Sequence, residues 1–131
     1  MRLRPILSWL AAAGGLAVLA TGLAWRSAAP AAEPRLLMFE LPDCQPCIQF
    51  ERDVGRIYGN TEEGRRAPIQ RLPLDEPPPE DLALEADVEV APTFVLIRDR
   101  RELGRITGYR DDEAFWLSLT RLLRELENDT D

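Results

Sequence analysis

The feature that most limits the fold of this chain is a pair of cysteines between an apolar run and an amphipathic segment. Cys44 and Cys47 are the only cysteines among the 131 residues, and Gln-Pro separates them. Residues 35–40 form a short apolar run that predicts a buried β-strand. In residues 45–58 apolar side chains recur every three or four positions, which predicts a helix ending at Gly59. The cysteines therefore lie where a strand passes into the N-terminus of a helix.

The composition excludes several kinds of active site. Histidine and lysine are absent, so all 16 basic residues are arginine. Without histidine there is no Ser–His–Asp triad, no Cys–His pair and no His-ligated metal, and without lysine there is no Schiff base. The formal net charge of −7 makes the chain a poor partner for nucleic acid, because phosphate contacts need positive charge. The two cysteines remain as the candidate reactive groups.

The N-terminal part of the chain has the pattern of an export segment. Arg2 and Arg4 precede an apolar run over residues 5–25, and a stretch of small residues follows. The run is also long enough to span a bilayer, so residues 1–32 are either a signal peptide that is removed or an N-terminal membrane anchor. In both cases residues 33–131 form one domain outside the cytoplasm. The arginine-, alanine- and proline-rich composition favours the bacterial periplasm.

The rest of the domain alternates between strands and helices. The predicted strands are residues 68–74, 93–97 and 102–107, and the predicted helices are a short one at 82–86 and a long one at 111–127. Residues 61–66 are predicted to be polar loop, residues 75–79 an extended proline-rich connection, and Gly108 a bulge or close backbone approach. The long helix has an apolar stripe, which consists of Phe115, Leu119, Leu122 and Leu126 and is widened by Trp116 and Leu123. We expect this stripe to face the core.

Three interpretations of the cysteine pair compete. A zinc site needs four ligands and one CxxC supplies two, so zinc would require a second chain or carboxylates. A purely structural disulfide suits an oxidising compartment, but so short a loop stabilises the fold little. A redox-active dithiol is favoured by placement, because a helix N-terminus stabilises a Cys44 thiolate while Cys47 faces the core. Pro46 also fits the first helical turn. In this interpretation Cys44 attacks a disulfide and Cys47 resolves the mixed disulfide.

From about residue 35 to residue 126 the sequence resembles the thioredoxin fold family. The resemblance rests on the strand before Cys44-Gln45-Pro46-Cys47, on Ala91-Pro92-Thr93 before a strand, and on the strand pair and helix that follow. It implies an α/β, thioredoxin-like fold with a central mixed sheet of about four strands flanked by helices. It also implies an active-site loop that includes Asp43, Gln45 and Pro46, and a cis-proline at Pro92. The backbone of Ala91, Pro92 and Thr93 would then contact the substrate, with no metal or organic cofactor.

Within that family the chain is most similar to small periplasmic thioredoxins encoded with bacterial sulfur-oxidation systems. The similarity lies in residues 37–40, 92–96 and 104–109 and in Phe115-Trp116. It implies a protein-disulfide reductase that keeps the cysteine of a sulfur-carrier protein reduced, acting on a disulfide or persulfide. A membrane thiol transporter would supply the electrons. Two alternatives remain: a thiol donor in cytochrome c maturation or disulfide isomerisation, and a redox-sensing module that binds a partner in one oxidation state.

The chain departs from the family pattern around the cysteines. Asp43 stands where an aromatic residue often precedes the first cysteine, and its carboxylate disfavours the Cys44 thiolate. Met38 stands where many thioredoxins bury an acid, so deprotonation of Cys47 needs another base or solvent, with Glu40 as one candidate. The loop between the cysteines contains no histidine. The Gln-Pro interior of the loop is closer to the Gly-Pro of the reducing family members than to the Pro-His of the oxidases, and with the missing histidine it favours a reductant over an oxidant.

Overall fold

The computed structural model describes residues 32–128. The predicted signal or anchor segment lies outside the described residues except for Ala32. The elements in chain order are β1 (Arg35–Glu40), α1 (Gln45–Phe50), a π-helical segment (Glu51–Gly55), α2 (Arg56–Tyr58), α3 (Glu62–Arg66), β2 (Ile69–Pro73), β3 (Thr93–Arg98), β4 (Arg101–Thr107) and α4 (Asp112–Asn128). Within residues 32–128 no helix is both long and apolar enough to cross a membrane.

One mixed sheet, with the strand order β2-β1-β3-β4, forms the centre of the domain. β1 is parallel to β2 and antiparallel to β3, and β3 forms an antiparallel hairpin with β4. Two continuous apolar runs of the domain make the central pair, and residues 36–39 and 93–97 of these strands are buried. Strands covered on both faces read as such continuous runs. The predicted mixed sheet of four strands is confirmed.

The helices pack on one face of this sheet, which we call the helical face. Its core cluster joins Leu36, Met38, Phe94 and Leu96 of the sheet to Cys47, Phe50 and Val54 and, from α4, to Phe115, Leu119 and Leu123. The ring of Phe50 contacts those of Phe94, Phe115 and Tyr109 at centroid distances of 4.6, 5.0 and 5.5 Å. This aromatic packing holds the cysteine-bearing helix against the sheet.

Both long helical regions differ in detail from the predicted pattern. Residues 45–58 are helical throughout, but Glu51–Gly55 has π-helical geometry. In α4 the buried residues are Phe115, Leu119, Leu123 and Leu126. Leu122, predicted to lie in the stripe, is half-buried and lies over Gly104, where a Cβ would come within 2.6 Å of its methyl group. The core stripe therefore passes through Leu123, which was predicted only to widen it.

Residues 61–66, predicted to be a polar loop, instead contain α3. The Thr61 hydroxyl accepts a hydrogen bond from the Gly64 N–H at 3.0 Å and donates one to the Tyr58 carbonyl at 2.7 Å, which caps the helix. Acidic residues occupy the first turn and basic residues the last, an order that complements the helix dipole. Capping and charge order thus form this helix without an apolar stripe.

Irregular chain, instead of a helix, covers the other face of the sheet, which we call the loop face. Here Leu37, Phe39, Val95 and Ile97 pack against Leu72, Leu74, Leu82, Leu84 and Val88. The short helix predicted at residues 82–86 is wrong. Ala83 lies beside β4, where its N–H donates to the Arg100 carbonyl at 2.8 Å and its carbonyl accepts from the Glu102 N–H at 3.0 Å. Leucines two residues apart suit an extended chain with one face buried.

The bulge predicted at Gly108 lies instead at Leu103. Leu96 pairs with Gly104 and Ile97 with Glu102, so Leu103 is an extra residue in β4. Gly108 follows the strand with a φ of +80°, and no atom lies within 4 Å of the position that a Cβ would take. Glycine therefore serves the positive φ at this position and not a close approach.

Candidate active site

Cys44 and Cys47 lie together at the junction of β1 and α1 and form a disulfide, with their Cα atoms 5.2 Å apart. Cys47 is 4% exposed and belongs to the core of the helical face, whereas Cys44 is half-buried at its margin. Cys44 is therefore the more accessible of the two. Among the residues that the structure describes, no cluster of three or more cysteine or carboxylate side chains could hold a metal ion.

The local backbone explains how the chain presents Cys44. Asp43 has a φ of +59°, a left-handed conformation that Asp tolerates better than most residues. Cys44 then has extended geometry and caps α1, and its sulfur accepts a hydrogen bond from the Cys47 N–H at 3.2 Å. Pro46 occupies the first turn, where its missing N–H costs no helical bond. A helix N-terminus with an N–H directed at a sulfur stabilises negative charge on it.

The loop that carries Pro92 lies beside the disulfide. The Ala91–Pro92 peptide bond is cis, and the Ala91 carbonyl oxygen lies 3.5 Å from the Cys44 sulfur. The Thr93 hydroxyl donates to the Val90 carbonyl at 2.6 Å, which ties the loop to the start of β3. The structure thus brings the two motifs together across 47 positions of sequence.

Below the cysteines the core is apolar. Met38 is fully buried and belongs to the same cluster as Cys47. An open cavity of about 580 Å³ borders Cys47 on the side of β2, and four carboxylates line it, among them Glu40 and Glu51. Glu51 is paired with Arg71 at 2.6 Å. Glu40, the candidate base for Cys47, lines the same cavity as Cys47, as do Asp75 and Glu76, and solvent in the cavity could carry the proton.

A polar contact that no sequence pattern indicated holds the π-helical segment that follows α1. Tyr109 lies after β4, and its hydroxyl donates to the Asp53 carboxylate at 3.0 Å. Asp53 belongs to the π-helical segment. Burial, followed by the hydrogen bond to Asp53, raises the pKa of Tyr109 above its usual value. The hydroxyl therefore remains a donor at any physiological pH. Only the folded structure brings these two residues together, since 56 positions separate them.

The fold and the disulfide together define a class, the thiol–disulfide oxidoreductases with a thioredoxin-like domain. No protein-family model matches the chain. The chain is 42% identical to the periplasmic thioredoxin SoxS from Paracoccus pantotrophus in its reduced form, and the match covers 72% of this chain and 99% of that one with a TM-score of 0.70. The chain belongs to the thioredoxin family.

Two further proteins are similar to the chain, one in sequence and one in fold. Thioredoxin H2 from Arabidopsis thaliana is 34% identical over 70 residues, or 53% of this chain. The chain spans about half of that relative's length, 49%. The thioredoxin of Fasciola hepatica has the same fold at 22% identity, with a TM-score of 0.50 over 69% of this chain and 81% of that one.

Proposed function

We propose that the protein is a periplasmic dithiol reductant for a partner protein. The Cys44 thiolate attacks a disulfide or persulfide of the partner, one sulfur of which leaves as a thiolate or hydrosulfide, and a mixed disulfide forms. The Cys47 thiolate then attacks the Cys44 sulfur, and the partner leaves as a thiolate. Two electrons pass from the dithiol to the partner, and the Cys44–Cys47 disulfide remains.

The observation that carries this proposal is the unequal exposure of the two cysteines. Cys44 is half-buried beside the Ala91 carbonyl, where a partner can reach it, while Cys47 is 4% exposed behind it. A large substrate meets Cys44 first, and Cys47 attacks only within the complex. Accessible and resolving sulfurs in this order support the roles of attacking and resolving thiol.

The direction of electron flow follows from what surrounds the Cys44 sulfur. Strong disulfide oxidants stabilise their reduced form by stabilising the attacking thiolate. Here the carboxylate of Asp43 adjoins Cys44, and the loop has no histidine. We therefore expect a reduction potential near the value of about −270 mV known for thioredoxin, measured by equilibration with dithiol buffers and alkylation of free thiols.

A matched variant checks the cause of that potential. Asp43→Asn removes the charge at nearly constant shape, so its potential should be less negative than that of the parent protein. A parent value close to about −120 mV, which is typical of strong oxidases, would contradict the proposed direction.

Export and partner complete the proposal. Residues 1–32 act as a signal peptide or inner-membrane anchor, and residues 33–131 work in the periplasm. The similarity to a periplasmic thioredoxin supports this compartment. The partner is a sulfur-carrier protein whose cysteine is kept reduced, as the resemblance to thioredoxins of sulfur-oxidation systems suggests. A membrane thiol transporter returns the protein to its reduced form.

Trapping tests the partner. Cys47→Ser lacks the resolving thiol, so Cys44 should remain joined to its substrate in a mixed disulfide that dithiothreitol releases. In periplasmic extract of the source cells we expect a sulfur-carrier protein in this complex, identified by mass spectrometry. The double variant Cys44→Ser/Cys47→Ser is the matched control and should trap nothing. If the variant captured only cytochrome-assembly proteins, the proposed sulfur-carrier partner would be wrong, and the alternative function in cytochrome c maturation would be favoured.

A further inference from the structure

The irregular segment between β2 and β3 joins the loop face of the sheet to the active site. After β2 the chain crosses this face and arrives at the Ala91–Pro92 bond beside Cys44. Residues 75–91, all of which the structure describes, contain no helix and no strand beyond one isolated bridge. The position of Ala91 therefore depends on side-chain contacts and on single hydrogen bonds.

Two charged residues of β4 hold this segment. The Glu102 side chain is 1% exposed, and its carboxylate accepts hydrogen bonds from Arg105 at 2.6 and 2.7 Å and from the Glu85 N–H at 2.9 Å. Arg105 also donates to the carbonyls of Ala86 at 2.8 Å and Asp87 at 3.3 Å. The pair thus binds the backbone of three consecutive residues. We call this group of contacts the β4 clamp.

The clamp is a consequence of the bulge at Leu103. Residues three apart on a regular strand point to opposite faces of the sheet. The extra residue in β4 brings both charges to the loop face, with Glu102 opposite Ile97 and Arg105 opposite Val95. Burial raises the pKa of Glu102, but the hydrogen bonds from Arg105 and Glu85 and the charge of Arg105 outweigh it and lower the pKa below its usual value. Glu102 is therefore charged at neutral pH.

The same strand holds the far end of the segment. The Gly108 N–H, just past β4, donates to the Pro92 carbonyl at 2.7 Å. Only Val88, Glu89 and Val90 lie between the clamped Asp87 and Ala91. Residues 85–92 are thus fixed to β4 at one end and to Gly108, the residue after β4, at the other, and the Ala91 carbonyl oxygen between these contacts lies 3.5 Å from the Cys44 sulfur.

From this geometry we infer that Glu102 and Arg105 are positioning residues, which set the Ala91–Pro92 turn against Cys44 and thereby the affinity for a protein disulfide. The inference rests on the proposed function, in which a partner's chain approaches Cys44 past Ala91. A protein substrate needs the polar groups of that turn in place, whereas a small disulfide needs only the sulfur. Loosening the clamp should therefore weaken binding of protein substrates without changing the thiol chemistry.

The test compares Glu102→Gln and Arg105→Lys with the parent protein. Glu102→Gln keeps the shape of the side chain and removes its charge. Arg105→Lys keeps the positive charge and removes the bidentate hydrogen bonding to Glu102. Glu127→Gln is the matched control, because it breaks an exposed ion pair with Arg66 at 2.6 Å between α3 and α4. Rates are measured with insulin as the protein disulfide, with hydroxyethyl disulfide as the small one, and with dithiothreitol as the reductant. Amide hydrogen exchange of Gly108, whose N–H donates to the Pro92 carbonyl, is followed in parallel.

For both clamp variants we expect KM for insulin to rise by about fivefold or more, with kcat and the rate with hydroxyethyl disulfide unchanged. The exchange of Gly108 should accelerate, and that of residues 47–50 should not. Glu127→Gln should match the parent in every measurement. A lower melting temperature with unchanged KM and unchanged exchange at Gly108 would overturn the inference. If the parent itself does not reduce insulin, insulin is not a substrate and trapping with Cys47→Ser decides the proposed function, while faster or unchanged exchange at Gly108 supports or overturns the role of the clamp.

Discussion

Replacement of Cys44 by serine is expected to lower turnover of protein disulfides by on the order of a thousandfold or more. A hydroxyl is not ionised at neutral pH and cannot replace the thiolate as the nucleophile. The fold should survive, because Cys44 is half-buried and the serine oxygen can still cap α1. The measurement is steady-state reduction of insulin with dithiothreitol as the electron source, corrected for the uncatalysed rate.

The single variant Cys47→Ser separates the two roles. It should also fail to turn over, yet its remaining thiol should react with iodoacetamide much faster than the thiol of Cys44→Ser. Cys44 is accessible and lies at the N-terminus of α1, whereas Cys47 is 4% exposed. The reverse order of alkylation rates would mean that Cys47 is the attacking thiol, and the mechanism proposed above would be wrong.

The sheet and the cysteine helix could be predicted because their signals are local. Residues 35–40 and 93–97 are continuous apolar runs, and each became a strand of the central pair. The covering of the loop face could not be predicted in the same way. Leu82 and Leu84 are too few to distinguish a helix from extended chain until the apolar face that they cover is known. The prediction of a short helix at residues 82–86 was wrong for this reason.

The polar part of the site shows the same limit. Glu102 and Arg105 resemble the solvent-facing charges of an ordinary edge strand, and only the bulge at Leu103 turns both onto the loop face. A bulge depends on which residues pair across the sheet, and the residue pattern of β4 alone does not show where the extra residue lies. Asp53 likewise meets Tyr109 only after the helices pack. The reactive sulfurs could be read from their spacing, whereas the contacts that orient their surroundings could not.

Phe50→Ala is expected to destabilise the protein by about 3–5 kcal/mol, the usual cost of truncating a buried phenylalanine. Phe50 is 0% exposed, and its ring contacts aromatic rings from β3, from the segment after β4 and from α4. Its loss opens a cavity where the cysteine helix meets the sheet. A domain of this size has a total stability of about 5–15 kcal/mol, so the variant should lose a large fraction of its stability.

Urea unfolding of the oxidised protein measures this effect, with the disulfide kept intact in every variant so that the unfolded states remain comparable. Phe50→Leu keeps most of the volume and should cost less than Phe50→Ala. Ile57→Ala, on the same helical region but 52% exposed, is the matched control and should change stability by about 0.5 kcal/mol or less. If Phe50→Ala cost no more than Ile57→Ala, the aromatic cluster would not be what holds α1 against the sheet.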